Sequence, residues 1–517
     1  MATLQEQSKK GAAIAPSNTT ADMRGQEHLL SRLTTADPGL PRPFARAPYW
    51  LHAPHPLAEH HSPALVEEAC VVVIGSGITG ASVAHTLLES DPTIRVVVLE
   101  ARSLCSGATG RNGGHMVAYA GADYAALKVK LGAEEALSTI DFTLRTLDDT
   151  MTLIHQRGWE EDVEYRPVTR IRTFADAEGL EAARASITEF VSQRPDMERD
   201  YEVIGSDQTR DEYGIHDVAG AVLLPAHAIW PYKFVSKVFQ RLVDEYPSRF
   251  YLETNTPVLS VQYRDPNCRG TGHAYSVRTP RGTVQATHIV HATNGYAGHL
   301  LPGLRGRLYP HQGSMTVQDF GTTIPNRGGE YTWSHHHEPR YDSVSKTTTL
   351  GTYYLQQNAR SGYMIFGGER TTAVQSVSAD DTQPVEQATQ HLRCKLASLL
   401  RKEAASAHLV SEWRGVMGYT ADRLPLVGPV PRAMSYRGGN GEWIAAGFNG
   451  MGMCYAWGSG KATAKVILGA QMSNWIPKAF MLSEERLNHS LHPEASVEGL
   501  LRCYPPTVST SDRSARL

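Results

Sequence analysis

The sequence predicts an α/β protein in two parts: a discontinuous, Rossmann-like dinucleotide-binding domain and a second, mixed-sheet domain. Three observations carry this. Residues 71–74 are an apolar run that ends in G-x-G-x-x-G, spelled Gly75, Ser76, Gly77, Ile78, Thr79, Gly80, and an Ala- and Leu-rich helical stretch follows. A second apolar run, 94–99, ends in the carboxylate Glu100. Late in the chain an apolar run at 443–446 leads into another glycine loop, 447–453, and a helical pattern to 468. Strand, glycine loop and helix thus recur at both ends of the pattern, with strand-rich segments between them.

The first unit has a physical logic. Gly75 allows a tight turn, Gly77 lets a pyrophosphate approach the backbone, and Gly80 lets helix pack on strand. The helix N-terminus offers N–H groups to the phosphate. Glu100 is placed to accept from ribose hydroxyls and disfavours a 2′-phosphate. Apolar spacing then predicts a helix over 132–157, a strand over 166–174 and a helix over 175–191. A helix over 231–246 begins at Pro231, a favoured first-turn residue. Strands follow at 258–263, 274–278, 282–284 and 288–292, then successive strands through 311–370 and a helix over 385–402.

These elements give the following layout. Residues 1–67 are an N-terminal extension, polar and flexible at first, then a Pro- and His-rich arm lying on the body. Residues 68–130, 251–310 and 408–475 are the three parts of the nucleotide-binding domain. Residues 131–250 supply helices and segments of the second domain, 311–407 form that domain, and 476–517 are a tail.

Composition excludes several classes. The 517 residues are 41% hydrophobic and 20% charged with formal net charge −3, so no basic field argues for nucleic acid. No apolar segment approaches the ~20 residues of a membrane span. Residues 1–16 lack the apolar core of a secretory signal. The six cysteines form no C-x-x-C, which suits a reduced, intracellular compartment. There is no G-x-S-x-G, so hydrolase chemistry is not indicated.

A further loop decides the cofactor. Ser106, Gly107, Thr109, Gly110, Arg111, Asn112, Gly113, Gly114 and His115 make a second glycine-rich segment soon after Glu100, Ala101 and Arg102. The third is Gly447, Phe448, Asn449, Gly450, Met451, Gly452 and Met453, opening a helix whose dipole suits the negative charge of a reduced flavin pyrimidine. A nicotinamide protein has no need of three such loops. They fit FAD lying extended across one domain.

These segments, with the pieces around 226–231, 291–296, 310–313, 362–368 and 413–429, resemble the FAD-dependent D-amino-acid-oxidase superfamily over about 68–470. The second loop is most similar to the branch containing γ-glutamylputrescine oxidase and its fungal relatives. The resemblance implies that the first loop binds ADP and Glu100 the ribose. It gives the second loop to the flavin, the Val258 backbone to adenine, and Thr293, Asn294 and Gly295 to the pyrophosphate side. Departures carry equal weight. Met417 stands where some relatives link FAD to cysteine, and Arg111 where others use histidine, so the resemblance implies noncovalent FAD, with His115 the remaining covalent alternative. Glycine-oxidase relatives clamp the substrate carboxylate with an arginine at the Met417 position; Arg360, Arg370 or Arg414 are the substitutes the sequence offers. Ile365 stands where sarcosine oxidases have a lysine near the flavin.

Trp230, Tyr354 and Met417 are the expected substrate contacts. Packing is the alternative for Trp230 and Trp413, and a half-buried strand pair for Tyr353 and Tyr354. No residue is assigned to acid–base catalysis and no metal is expected: His335, His336, His337 and Glu338 read as a loop in or over the pocket. The expected function is oxidation of a C–N bond in a primary or secondary amine, or an amino acid derivative. Hydride passes to flavin N5, and O2 is the acceptor, giving H2O2. The alternatives are a dehydrogenase of amino or 2-hydroxy acids with another acceptor, and a non-catalytic flavin-binding scaffold. Ala515, Arg516 and Leu517 vary the Ser-Lys-Leu address read by the peroxisomal import receptor, so a peroxisomal or cytoplasmic location is expected.

Overall fold

The computed structural model describes residues 18–43, 47–119, 121–264, 273–368 and 370–504, and two large sheets organise them. In the eight-stranded sheet the parallel strands run in the order Glu442–Ala446, Gly282–His291, Glu68–Ile74, Val96–Leu99, Phe250–Glu253. Leu426–Pro429 adds to one edge antiparallel, and Tyr275–Thr279 with Ser260–Tyr263 leaves from Gly282–His291. The strand Glu68–Ile74 has a neighbour on each side and helices above. Its Val71, Val72 and Val73 are therefore all fully buried, not alternating.

The helices Ile78–Ser90 and Gly452–Ile467 follow the first and third glycine loops and pack on each other. Glycine permits the close approach. A Cβ on Gly460 would lie 2.7 Å from the Thr79 carbonyl oxygen, and one on Gly80 2.0 Å from that of Gly75. The Ser82 hydroxyl donates to the Trp457 carbonyl at 2.6 Å across the same contact.

The nine-stranded sheet runs His408–Thr420, Leu308–Asp319, Met364–Gly368, Thr352–Gln357, Tyr331–His336, Arg166–Phe174, Gly220–Ala228, His115–Met116, with Glu202–Gly205 on the flank of Gly220–Ala228. Register places Arg172, Ser334, Tyr354 and Gly367 in one row, and Arg170, Thr332 and Gln356 in the next. Because side chains alternate between faces, these residues share one face. Ile171, Trp333, Tyr353, Leu355 and Phe366 share the other, where they form a core with the helix Glu386–Leu399.

Five expectations change. Residues 18–35, expected to be polar and flexible, form the helix Asn18–Thr35, held against the helix Pro493–Cys503 by Leu30, Tyr309, Val497 and Leu500. Residues 476–504, expected as tail, thus carry a packed helix. Residues 282–292 make one strand, Gly282–His291, because Thr283 to Ala286 pair continuously with Tyr275–Thr279. The strand His408–Thr420, assigned from sequence to the nucleotide-binding unit, pairs along Leu308–Asp319 in the second sheet. Residues 335–336 lie in the strand Tyr331–His336, not in a loop. No helix among the described residues is long and apolar enough to cross a membrane.

Candidate active site

One cavity of about 560 Å³ lies between the two sheets. Gly75, Glu100 and Ala292 bring to it the carboxyl ends of three parallel strands of the first sheet. From the first loop Gly77, Ile78 and Thr79 line it; Ser76 and Gly80 lie behind. Ser76 instead fixes Glu100: its amide and hydroxyl donate to Glu100 Oε2 at 3.0 and 2.8 Å, and the Arg102 amide donates to Oε1 at 2.9 Å. The carboxylate keeps acceptor capacity for a ribose. The Ile78 amide donates to Thr109 Oγ1 at 3.0 Å, so the second loop takes one of the first-turn N–H groups expected to face phosphate.

Gly107, Thr109, Arg111, Asn112, Gly113 and His115 bring the second loop to the cavity; Ser106, Gly110 and Gly114 support it from behind. Asn112 Nδ2 donates to the Thr109 carbonyl at 2.9 Å and its Oδ1 accepts from the Gly114 amide at 2.7 Å, so this side chain fixes its own loop. Arg102 and Arg111 share one buried carboxylate. Asp381, 3% exposed, accepts from Arg102 Nη1 at 2.9 Å and lies 3.3 Å from Arg111 Nε. Sequence reading missed Asp381, because nothing local ties a residue at 381 to the loops at 102 and 111.

Phe448, Asn449, Gly450, Met451, Gly452 and Met453 line the cavity from the third loop, and Gly447 sits behind. Asn294 Oδ1 accepts from the Gly447 amide at 3.0 Å and Asn449 Oδ1 from the Thr420 amide at 2.9 Å, so both asparagines hold the loop. Ala101, Arg102, Val258, Thr293, Asn294 and Gly295 also line the cavity. So do Gly39, Leu40 and Pro41 of the N-terminal arm, a wall with no motif to announce it.

The second sheet supplies the remaining wall. Tyr354 and Met417 line it. The Tyr354 ring lies across Gly367, where a Cβ would stand 2.3 Å from Tyr354 Cε2, while Tyr353 is buried on the opposite face. Trp230 does not line the cavity. It packs with Tyr49 and Trp50 at 5.5 and 5.1 Å between ring centres, and its Nε1 donates to the Trp50 carbonyl at 3.0 Å. Arg360, Arg370 and Arg414 do not line it either. Arg360 lies 3.9 Å from Glu161, Arg370 pairs with Asp342, and Arg414 Nη2 donates to the Gln375 carbonyl at 3.3 Å. Ile365 is fully buried in the row of Gln356, on the same face of the sheet as Tyr354 and Gly367, and does not line the cavity.

Two residues on this wall have distinctive environments. His115 Nδ1 is 2.7 Å from Thr332 Oγ1, whose hydroxyl donates to the Leu355 carbonyl at 3.1 Å. A hydroxyl has one proton, so Nδ1–H donates to Thr332 and Nε2 carries the lone pair. That Nε2 is buried and has no hydrogen-bond partner among the described residues. Burial, with Arg170 and Arg166 adding, pushes the imidazole pKa down to about 3, so it is neutral at pH 7. Arg170 also faces the cavity. Burial, with the Arg172 charge adding, lowers its pKa to about 10, which leaves it cationic.

The fold and site define a dinucleotide-binding oxidoreductase. The family described as FAD dependent oxidoreductase (DAO) matches residues 70–466, and the chain belongs to it. It is 23% identical over 408 residues, 78% of this chain and 83% of that one, to probable oxidoreductase OrdL of Rhizobium meliloti (strain 1021). Its fold is similar to glycine oxidase from Geobacillus kaustophilus, with TM-score 0.62 and 17% identity over 81% of this chain and 99% of that one. It is also similar to L-proline dehydrogenase from P. horikoshii, at 0.59 and 18% over 80% and 98%. Iminodiacetate oxidase from Chelativorans sp. BNC1 gives 0.57 and 18% over 79% and 98%. The residues present fit FAD: Gly75 and Gly77 leave backbone open to the cavity, and the buried Thr293 Oγ1 and His115 Nε2 lack hydrogen-bond partners among the described residues.

Proposed function

We propose that this chain oxidises a C–N bond of an amine or amino acid derivative to an imine, with O2 as acceptor and H2O2 as product. When bound, FAD supplies the hydride acceptor. The carrying observation is that a single cavity runs from the three glycine loops to a face of the second sheet bearing His115, Tyr354 and Arg170. A molecule on that face sits beside whatever the loops hold, out of bulk water, which is the positioning that hydride transfer needs. Relatives named as oxidases of glycine and iminodiacetate support an amino substrate.

The site residues then divide the work. The first loop and Glu100 hold the ADP half, and the second and third loops hold the flavin half. Tyr354 and Met417 bound the substrate. His115, neutral with Nε2 toward the site, accepts a hydrogen bond there. FAD is held noncovalently, since Met417 replaces the linking cysteine. The resemblance to the γ-glutamylputrescine oxidase branch supports a substrate whose oxidised amine belongs to a larger amino compound. A second reading, a dehydrogenase with another acceptor, is favoured by Ile365, a buried apolar residue where a lysine stands in sarcosine oxidases.

The test is flavin reduction by a panel of amines and amino acids without oxygen, then peroxide measured on admitting it. Reduction with peroxide supports the oxidase, and reduction without peroxide the dehydrogenase. No reduction by any amino compound rejects both. The terminal Ala515, Arg516 and Leu517 lie outside the described residues. The proposed location stays peroxisomal or cytoplasmic; punctate signal from an N-terminally tagged protein would favour the first and diffuse signal the second.

A further inference from the structure

Among the described residues, Glu100 is the one carboxylate lining the cavity, and Ser76 and Arg102 already donate to it. Three arginines line the same cavity. Arg102 and Arg111 both pair with Asp381. Arg170 is different. It makes one hydrogen bond, from Nε to Ser334 Oγ at 3.2 Å, and no ion pair within 4 Å among the described residues; the more distant Asp123 is the carboxylate whose charge acts on it. The neighbouring Asp123 is 2.8 Å from Arg172, the next cation on the same face of the strand. The wall that faces substrate therefore carries a cation and no carboxylate to hold an ammonium group.

Burial of a charge without a directly paired counter-ion is costly, and a guanidinium presents a fork that matches a carboxylate. Here Ser334 holds Nε, which fixes the plane of that fork. We propose that Arg170 is the anchor for a carboxylate of the substrate, and that Ser334 is the positioning residue that sets the guanidinium plane. This rests on the reading that the cavity takes an amino compound, and it narrows that reading to amino compounds bearing a carboxylate. It also relocates the anchor. Arg170 lies five strands from the Met417 strand in the sheet order, a path of about 24 Å along the sheet at ~4.8 Å per strand. The carboxylate is thus received by a different part of the same sheet wall from the one Met417 belongs to, and Arg360, Arg370 and Arg414 are not needed.

The experiment uses the FAD-loaded protein and reads ligand-induced shifts of the flavin absorption spectrum, not turnover. Benzoate and acetate are titrated against their neutral isosteres benzamide and acetamide. The variants are Arg170→Met, Arg170→Lys, Ser334→Ala and, as control, Arg360→Met, each checked for bound FAD. The carboxylates are expected to bind the wild type and the amides not. Arg170→Met should weaken carboxylate binding by about 10- to 100-fold, the loss of a charge-assisted bidentate contact. Arg170→Lys should restore part of it, Ser334→Ala should cost a few-fold, and Arg360→Met should change nothing. The proposal is overturned if Arg170→Met titrates as the wild type does, if the amides bind as well as the acids, or if neither carboxylate shifts the spectrum. Carboxylate binding through Arg170 in a protein that no amino compound reduces would support the anchor while rejecting the proposed reaction, so the two failures are distinguishable.

Discussion

At the scale of single residues, Glu100 and Gly367 do opposite kinds of work. Glu100 accepts three hydrogen bonds from Ser76 and Arg102 and still borders the cavity. Glu100→Ala is expected to weaken FAD binding by ~1–3 kcal/mol and to lower the denaturation midpoint, because buried donors lose their acceptor. Equal FAD affinity, measured by fluorescence quenching, would reject the ribose assignment. Gly367 acts through space that it leaves empty. A Cβ there would meet Met315 Sδ and Tyr354 Cε2, each at 2.3 Å, so Gly367→Ala must displace the Tyr354 ring at a cost of about 1–3 kcal/mol. The expected result is a raised KM with FAD content retained, and an unchanged KM would show that Tyr354 does not bound the substrate.

At the scale of elements, the strand Glu442–Ala446 shows how charge holds the third glycine loop in place. Glu442 is buried, accepts from His291 Nε2 at 3.0 Å and from Arg437 Nη2 at 2.7 Å, and these partners pull its pKa from 4.5 to about 2. A carboxylate with a depressed folded-state pKa stabilises fully above its unfolded value and loses that contribution as pH falls through the folded one. The wild type should therefore lose on the order of 3 kcal/mol between pH 4.5 and 2 through this group. Glu442→Gln should start lower at pH 7 and vary less across that window, as read from urea midpoints against pH; parallel curves would exclude the linkage. The glycine loops are legible in sequence because their chemistry is local: a turn, a close approach and a helix start within a few residues. Arg170 is not. In the strand Arg166–Phe174 the alternation of Arg166, Arg170 and Arg172 gives the spacing of a face but not which face meets the cavity. Pairing with Tyr331–His336, more than 150 residues away, decides that. Asp381 and the arm at Gly39 are hidden for the same reason, and Trp230 is misplaced because an aromatic beside a helix start looks alike in a pocket and in a packed cluster.

At the scale of the whole molecule, the helix Asn18–Thr35 and the segment after it form a strap. The helix docks on Pro493–Cys503, and Gly39, Leu40 and Pro41 reach the cavity from it. Deleting residues 1–43 is expected to speed FAD release about tenfold, near 1.4 kcal/mol, and to expose Tyr309 and Leu500. Identical release rates, followed by the rise of free-flavin fluorescence, would show that the strap is ornamental to the cofactor. The strap also sets a timetable for the newborn chain. The glycine loop at Gly75 leaves the ribosome first, but the loop at Gly450 emerges hundreds of residues later, and the helix that pins the strap later still. At about 5–20 residues per second the interval is tens of seconds. Within it Val96–Leu99 waits for Phe250–Glu253, Glu68–Ile74 for Gly282–His291, and Gly282–His291 in turn for Glu442–Ala446. Flavin loading is consequently an act of the nearly finished polypeptide, since the loops at Gly75 and Gly450 must both be present to close the cavity.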